Sequence, residues 1–491
     1  MKRISTLIVL CFILASGYAQ EQVVPASDRP LSLKECVDIA LQNNLRVRRS
    51  IYNVQSFNIN LWQSKAQFLP TVNAGASYGW QWGRAINPVT NIYTNRNGNS
   101  LNGQLTTSWT LFNGLRIQNN YRASIRDFDA SNQDLQKAKN DVIINVVTLY
   151  INVIFNKELY ENANFQLKSS QTQLERIVKQ VAAGSLPKAD QLNQEALVAT
   201  NEVNLINQEN AVNLSMLQLK QALQLPSSTP LDVIVPELSP EDLILELGPD
   251  EIFQTALETM PEIKSAMLKV ESADYALRAS KGNIYPRLSL NGALQSNYSS
   301  VSDEPRPTAI SGSVPSSSPT GVAIVTDPSV GTLYFPVHAL VPNITEYSDG
   351  YGYQNQLKDN LFKTSSLTLS IPLFNGLQTR SSVQRAAVNT EVARINQIEA
   401  ENTLRQIIET SYNDAVAASK TYTSSLKQVS AREEAARMNQ QRFELGAINF
   451  VENQISENDL FRAKSDLLRA KYNFIFRKKI LDFYQGKPID Y

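Results

Sequence analysis

The sequence predicts a mainly α-helical chain with a membrane β-barrel portion, built as an internal tandem duplication of one helix–ribbon–hairpin unit. Three observations point there. Four stretches alternate between apolar and small polar residues, the period-two pattern of strands. From Leu115 to Ala183 there is no glycine or proline, and 69 residues make roughly 100 Å of helix. Short motifs then recur in the same order at fixed offsets along the chain.

The N-terminus carries Lys2 and Arg3, an apolar run from Leu7 to Leu14, and the small-residue site Gly17-Tyr18-Ala19. Residues 1–19 are therefore expected to be a cleaved signal peptide. Cys11 lies inside its apolar run, so no lipid anchor is expected there.

Residues 20–225 are expected to form the first structural repeat. Leu31 to Phe68 reads as helix, and strands are expected at about 71–82 and 101–112, joined by an Asn-rich loop. In the first strand Val72, Ala74, Ala76, Tyr78, Trp80 and Trp82 share one face, opposite Asn73, Ser77 and Gln81. In the return strand Leu101, Leu105, Trp109 and Leu111 oppose Asn102, Gln104, Thr106 and Ser108. A soluble antiparallel sheet alternates in the same way. Two features favour a bilayer instead. Tyr78, Trp80, Trp82 and Tyr298 cluster at the far strand ends like an aromatic girdle, and the strands approach the roughly 9–11 residues that span a membrane.

The hairpin over 115–225 shows apolar residues in sevens, the coiled-coil period: Val146, Val153, Tyr160, Leu167, Leu174 and Val181 going out, Val198, Leu205, Val212 and Leu219 returning. Between them Gly184-Ser185-Leu186-Pro187 breaks the helix. A proline-rich linker, 226–249, leads to the second repeat, 250–488. Its strands are expected at about 287–298 and 361–374, its hairpin at 377–485, and a long extracellular loop at 299–360. Ala40-Leu41 and Leu69-Pro70 match Ala256-Leu257 and Tyr285-Pro286 at an offset of 216. Leu111-Phe112-Asn113-Gly114 matches Leu373-Phe374-Asn375-Gly376 at 262, an offset that continues through Gly184/Gly446 and into a second heptad, Ile408 to Phe443.

Four strands cannot close a barrel, and hydrocarbon cannot solvate open strand edges. Known single-chain barrels begin at about eight strands, so several copies of this chain are expected to share one.

Composition excludes other classes. Once the leader is removed Cys36 is the sole cysteine, so no intrachain disulfide forms. His338 is the only histidine, which leaves no metal site or histidine-dependent triad, no cofactor and no catalytic constellation expected. A formal net charge of +0 offers nothing to nucleic acid. No later segment has the roughly 18 uninterrupted apolar residues of a membrane helix.

With these motifs assembled, the chain resembles the outer membrane efflux protein family, whose best-known member is TolC. The resemblance rests on the Leu-Pro or Tyr-Pro approach to each odd strand, the Leu-Phe-Asn-Gly exit from each even strand, and the hairpins breaking at Gly184 and Gly446. It implies a homotrimer sharing a 12-stranded barrel in outer-membrane lipid, continuous with an α-barrel in the periplasm. The trimer would be the passive exit duct of a tripartite efflux or type I secretion system. A periplasmic adaptor (membrane fusion) protein would contact the hairpin tips, at Gly184, Leu186, Gly446 and Ile448. An inner-membrane transporter of RND, ABC or MFS type would supply the energy. An acidic ring at the periplasmic constriction maps to Glu452, with Asp190 its counterpart in the first repeat; the ring's second position is Ile455, and the arginine that would complete a closing network is replaced by Ile448. The alternative is a non-conducting, periplasm-spanning coiled-coil spacer anchored in the outer membrane.

Overall fold

The computed structural model describes residues 29–86, 92–95, 97–235, 247–300, 307–347 and 350–487. The expected leader, 1–19, and the middle of the linker lie outside them. The chain forms two compact units: Met1–Leu61 with Arg122–Ala276 and Arg385–Tyr491, and Trp62–Tyr121 with Leu277–Gln384.

The first unit is helical. Helices α1 (Leu33–Asn43), α2 (Leu45–Ala66), α3 (Arg116–Ala182) and α4 (Lys188–Ala222) are followed by α5 (Pro249–Thr259) and α6 (Pro261–Gly282). After a further short helix in the other unit come α8 (Gln378–Glu444) and α9 (Phe450–Tyr484). The lengths recur: 11, 22, 67 and 35 residues for α1 to α4, and again 11, 22, 67 and 35 for α5, α6, α8 and α9.

Each set has its own core. In the first, Cys36 and Ala40 of α1 pack with Val146, Tyr150, Val153 and Ile154 of α3 and Leu219 of α4. In the second, Ile252 and Ala256 of α5 pack with Leu404, Ile408 and Ala415 of α8 and Leu481 of α9. Cys36/Ile252, Ala40/Ala256, Val146/Ile408, Val153/Ala415 and Leu219/Leu481 correspond at the offsets 216 and 262. The first core also pins two strands of backbone: Leu31 N–H donates to Asp232 O (2.8 Å) and Ile234 N–H to Leu31 O (3.1 Å). The Tyr150 hydroxyl lies 2.7 Å from Ile234 O and 3.1 Å from Leu31 O, so its proton satisfies a buried carbonyl there. Burial pushes the Cys36 thiol up to about 12. By length and composition α3 contains a window apolar enough to cross a membrane, and its apolar side chains from Val142 to Ile154 belong to this core.

The sevens pattern of α4 needs correction. Its buried positions are Gln194, Leu197, Asn201, Ser215 and Leu219; of the expected stripe Leu219 is buried, whereas Val198, Leu205 and Val212 are half-buried. Gln194, Asn201 and Ser215 also fall on a seven-residue row, and burying them requires partners. Gln194 Nε2 donates to Ser170 O at 2.7 Å and Ser215 Oγ to Val212 O at 2.9 Å.

The second unit holds β1 (Thr71–Gln81), β2 (Arg84–Ile86), β3 (Tyr93–Asn95) and β4 (Gly98–Phe112). Later come β5 (Arg287–Ser299), β6 (Pro307–Pro315), β7 (Gly321–Asp327), β8 (Gly331–Val337), β9 (Leu340–Tyr347), the short helix α7 (Tyr353–Asp359) and β10 (Phe362–Ser370). One antiparallel sheet runs β1-β4-β5-β10. Two strand limits and one loop differ from expectation. β4 starts at Gly98, because Asn99 and Ser100 pair with Trp80 and Gly79 although their own sequence shows no alternation. β10 stops at Ser370 rather than 374, since Pro372 has no N–H for the ladder. The expected loop over 299–360 contains two hairpins, β6·β9 and β7·β8, and α7.

Glycines turn the chain where side chains cannot. Gly114 has φ +65, and a Cβ there would strike the Gly282 carbonyl oxygen and come within 2.9 Å of Tyr285 Cβ. Gly184 has φ +76 with open space around it. Gly184→Ala is therefore expected to cost about 1 kcal/mol, the left-handed penalty alone. Gly114→Ala should lower the thermal unfolding midpoint well beyond that, because the collision adds to the same penalty; equal shifts in calorimetry would refute the close approach.

Candidate functional site

Three features could serve function, each lying within one unit: the polar face of the sheet, the strand-to-helix junctions and the hairpin tips.

The strand register aligns like with like. Leu101 lies opposite Tyr78 on one side and Tyr298 on the other; Leu105 faces Leu294 and Trp109 faces Leu290. On the other face Asn102 meets Asn297 and Gln104 meets Gln295. The apolar face is bare: Val72 is 63% exposed, Trp80 59% and Leu367 62%. The polar face forms a trough of about 460 Å³ lined by Ser77, Asn102, Gln104, Gln295 and Asn297. Nearer the junctions the face is tied across three strands. Ser108 Oγ donates to Asn291 Oδ1 (2.9 Å), and Asn291 Nδ2 donates to Thr368 Oγ1 (3.1 Å). Around the trough the wall is made of uncharged amides and hydroxyls, which water wets, and at the junction end the same face carries Arg287. The sequence exposed the alternation, but the pairing of amides with amides required the register.

The two junctions are built alike. Asn113 Oδ1 accepts from Ile117 N–H and Asn375 Oδ1 from Thr379 N–H, both at 3.4 Å. After them Gly114 and Leu115 have φ +65 and +61, and Gly376 and Leu377 have +61 and +65. Two successive left-handed residues, one with a branched side chain, are uncommon enough to mark a specific turn. Their surroundings differ. Leu111 and Phe112 are 42% and 43% exposed and Asn113 is 7% exposed, whereas Leu373 and Phe374 are 93% and 83% exposed.

Both tips are Schellman turns. Ser185 N–H donates to Gln180 O (2.9 Å) and Gly184 N–H to Val181 O (3.0 Å); Ala447 N–H donates to Arg442 O (2.8 Å) and Gly446 N–H to Phe443 O (2.9 Å). Leu186 and Ile448 are half-buried beside the turns. Glu452 is exposed and held in place: its N–H donates to Asn449 Oδ1 (2.9 Å), and Asn449 Nδ2 donates to its Oε1 (3.3 Å). This cap escaped the sequence reading, although Asn three residues before Glu signals it. Asp190 is half-buried in the first turn of α4, where Pro187 offers no side-chain cap. Among the described residues no ion pair joins Asp190 or Glu452 to a cation; the hairpins are linked near their ends by Arg176 and Glu444 at 4.0 Å. Groups of three potential metal ligands are absent among the described residues.

These features answer to known sequences. The profile of the family described as "Outer membrane efflux protein" matches residues 36–224 and 338–479. The chain belongs to the outer membrane efflux protein family. Membership carries an outer-membrane location. One relative is the Pyoverdine export outer membrane protein OpmQ of Pseudomonas putida, 24% identical over 57% of this chain; the match covers 61% of that relative, under two thirds of its length. Another is Outer membrane protein TolC of Escherichia coli, 23% identical over 91% of this chain and 80% of the relative. Among solved structures, the outer membrane protein VceC of Vibrio cholerae superimposes with a TM-score of 0.69, covering 93% of this chain and 97% of that one at 13% identity. At that identity the likeness establishes the fold.

Past the second tip, Glu457 is a carboxyl whose ionisation burial opposes. Burial raises its pKa, against a hydrogen bond from Asn453 Nδ2 at 3.3 Å. A carboxyl whose folded pKa is raised stabilises the fold when protonated, and that stability is lost as pH rises through the folded value. Glu457→Gln should therefore melt higher than wild type at neutral pH, with the gap closing as pH falls toward the ordinary value of 4.5. A gap that does not change with pH in paired melting curves would remove Glu457 from this role.

Proposed function

We propose that three copies of this chain form a passive duct through the outer membrane, each contributing four strands to one 12-stranded barrel. The observation that carries it is the sheet itself. β1 and β10 lie at its two edges, one face is apolar and bare, and the other is an uncharged polar trough. In hydrocarbon such edges must be paired, and in a water-filled barrel the polar face must point inward. The matched lengths of the two helix sets support an internal duplication, which makes three chains a ring of six similar parts.

The relatives' names favour export. OpmQ is named for pyoverdine export, and a 20% identical protein of Aggregatibacter actinomycetemcomitans is named Toxin and drug export protein A. By analogy the duct carries a cargo chosen by others: a periplasmic adaptor engaging Gly184, Leu186, Gly446 and Ile448, and an energised inner-membrane transporter. The duct makes and breaks no bond. After removal of the leader at 1–19, the helical hairpins would stand in the periplasm and form an α-barrel. Glu452, fixed by Asn449, would line the constriction with Asp190 near it, and a threefold ring of carboxylates in a narrow mouth favours cations.

Single-channel recording in planar bilayers tests both levels. The expected result is a conducting, cation-selective pore whose selectivity falls in Glu452→Ala while conductance persists. A protein that inserts but never conducts would favour the spacer. Unchanged selectivity in the variant would remove Glu452 from the constriction.

A further inference from the structure

At the junction end of the sheet a cavity of about 610 Å³ carries two cationic side chains and no acidic one. It is built within one unit, where the end of α2 (Gln67) and the starts of β1 (Thr71) and β5 (Arg287) meet the end of β4 (Thr110) and the first turns of α3 (Arg116, Asn120). Arg287 stands on the polar face of the sheet, in step with Ser289 and Asn291 and opposite Ser370. Arg116 is half-buried and donates from Nη1 to Asn283 Oδ1 at 3.3 Å, a neutral partner. Among the described residues neither arginine is ion-paired. The surrounding sequence offers them nothing: residues 62–121, 277–302 and 360–384 contain no aspartate or glutamate.

The walls of this cavity are fixed by contacts of their own. Trp109 Nε1 donates to Phe68 O at 2.9 Å, and the Phe68 ring meets Tyr121 edge-on at 5.9 Å, which ties the end of α2 to β4 and α3. Thr71 Oγ1 donates to Ser108 O at 3.3 Å. Gly282 lies beside the Arg116 stem, where a Cβ would come within 3.2 Å of Arg116 Cβ.

Duplication does not account for the charge. At the offsets 216 and 262, Arg287 corresponds to Thr71 and Arg116 to Gln378. Each repeat supplies one arginine where the other has a neutral residue, and the two arginines meet in one cavity. Guanidinium groups stay protonated at any physiological pH, so the two repel each other until an anion sits between them. The positive end of the α3 dipole acts in the same sense. Hydroxyls of Thr71 and Thr110 and amides of Gln67 and Asn120 add neutral hydrogen-bond donors around the pair. Guanidinium forks match phosphate and carboxylate oxygens two at a time.

We propose that this cavity binds a multiply charged oxyanion, a phosphate or carboxylate group borne by a solute in water. The inference rests on the duct reading, in which the polar face lines the water-filled space, and gives that duct a class of solute. A lipid headgroup carries the same chemistry, but Arg287 is on the polar face and not on the apolar one.

Calorimetric titration of the detergent-purified full chain with pyrophosphate tests the site without requiring conduction. One site per chain is expected, weakening as salt is raised. Arg287→Gln and Arg116→Gln should each weaken binding about tenfold or more. Lys281→Gln removes an exposed charge of the same unit outside the cavity and should change it less than about twofold. No binding, or equal weakening in all three variants, would overturn the site. Native mass spectrometry separates the two sources of phosphate: phosphatidylglycerol retained by wild type and lost from Arg287→Gln would overturn the solute reading in favour of a lipid headgroup. In planar bilayers pyrophosphate should interrupt the current of wild type and not of Arg287→Gln. Channels that conduct but ignore pyrophosphate in both assays would overturn the site and leave the duct intact. Pyrophosphate binding by a protein that never conducts would uphold the site and overturn the duct.

Discussion

Backbone hydrogen bonding at the two edges of a four-stranded sheet is the constraint on which the rest depends. A sheet in water can leave its edge N–H and C=O groups to solvent, but one in hydrocarbon cannot. β1 and β10 are those edges. Their side chains agree with a lipid-facing sheet: one face is apolar and uncovered, and the other is lined with amides and hydroxyls. The apolar side chains left exposed include Val72 and Trp80 of β1 and Leu367 and Leu369 of β10.

The two halves of the chain correspond element by element. One seam between repeats is already formed within the chain, between β4 and β5 and between Gly114 and Gly282. The two sets of elements have the same helix lengths and the same strand register, β1 on β4 and β5 on β10. The helices differ in detail: α3 and α6 meet through Arg126 with Glu271 and Asp134 with Lys269, whereas Val388, Val392 and Ile395 of α8 are exposed.

Much of this was legible in the residues. Strict alternation marked β1 and β5, and Gly184 and Gly446 marked the hairpin turns because few other residues take a left-handed φ at no cost. Other features were hidden for physical reasons. Asn99 and Ser100 join β4 through pairing with β1, which no local pattern reveals. The β7·β8 hairpin sits in a segment whose proline and glycine suggested a loop, although β-branched and aromatic runs flank the Asp327-to-Gly331 turn. In α4 Gln194, Asn201 and Ser215 form a buried row although they are polar, so a search for apolar sevens found Leu219 and passed over that row. The tips were legible as turns, whereas the Asn449 cap that holds Glu452 was not read from the sequence.

Electron cryomicroscopy of the protein in lipid nanodiscs measures the central claim directly. Three chains should enclose one water-filled ring of twelve strands, with β10 of each chain hydrogen-bonded to β1 of the next and no edge facing lipid. A well-resolved four-stranded sheet with both edges bare, or a ring closed by any other pair of strands, would contradict it.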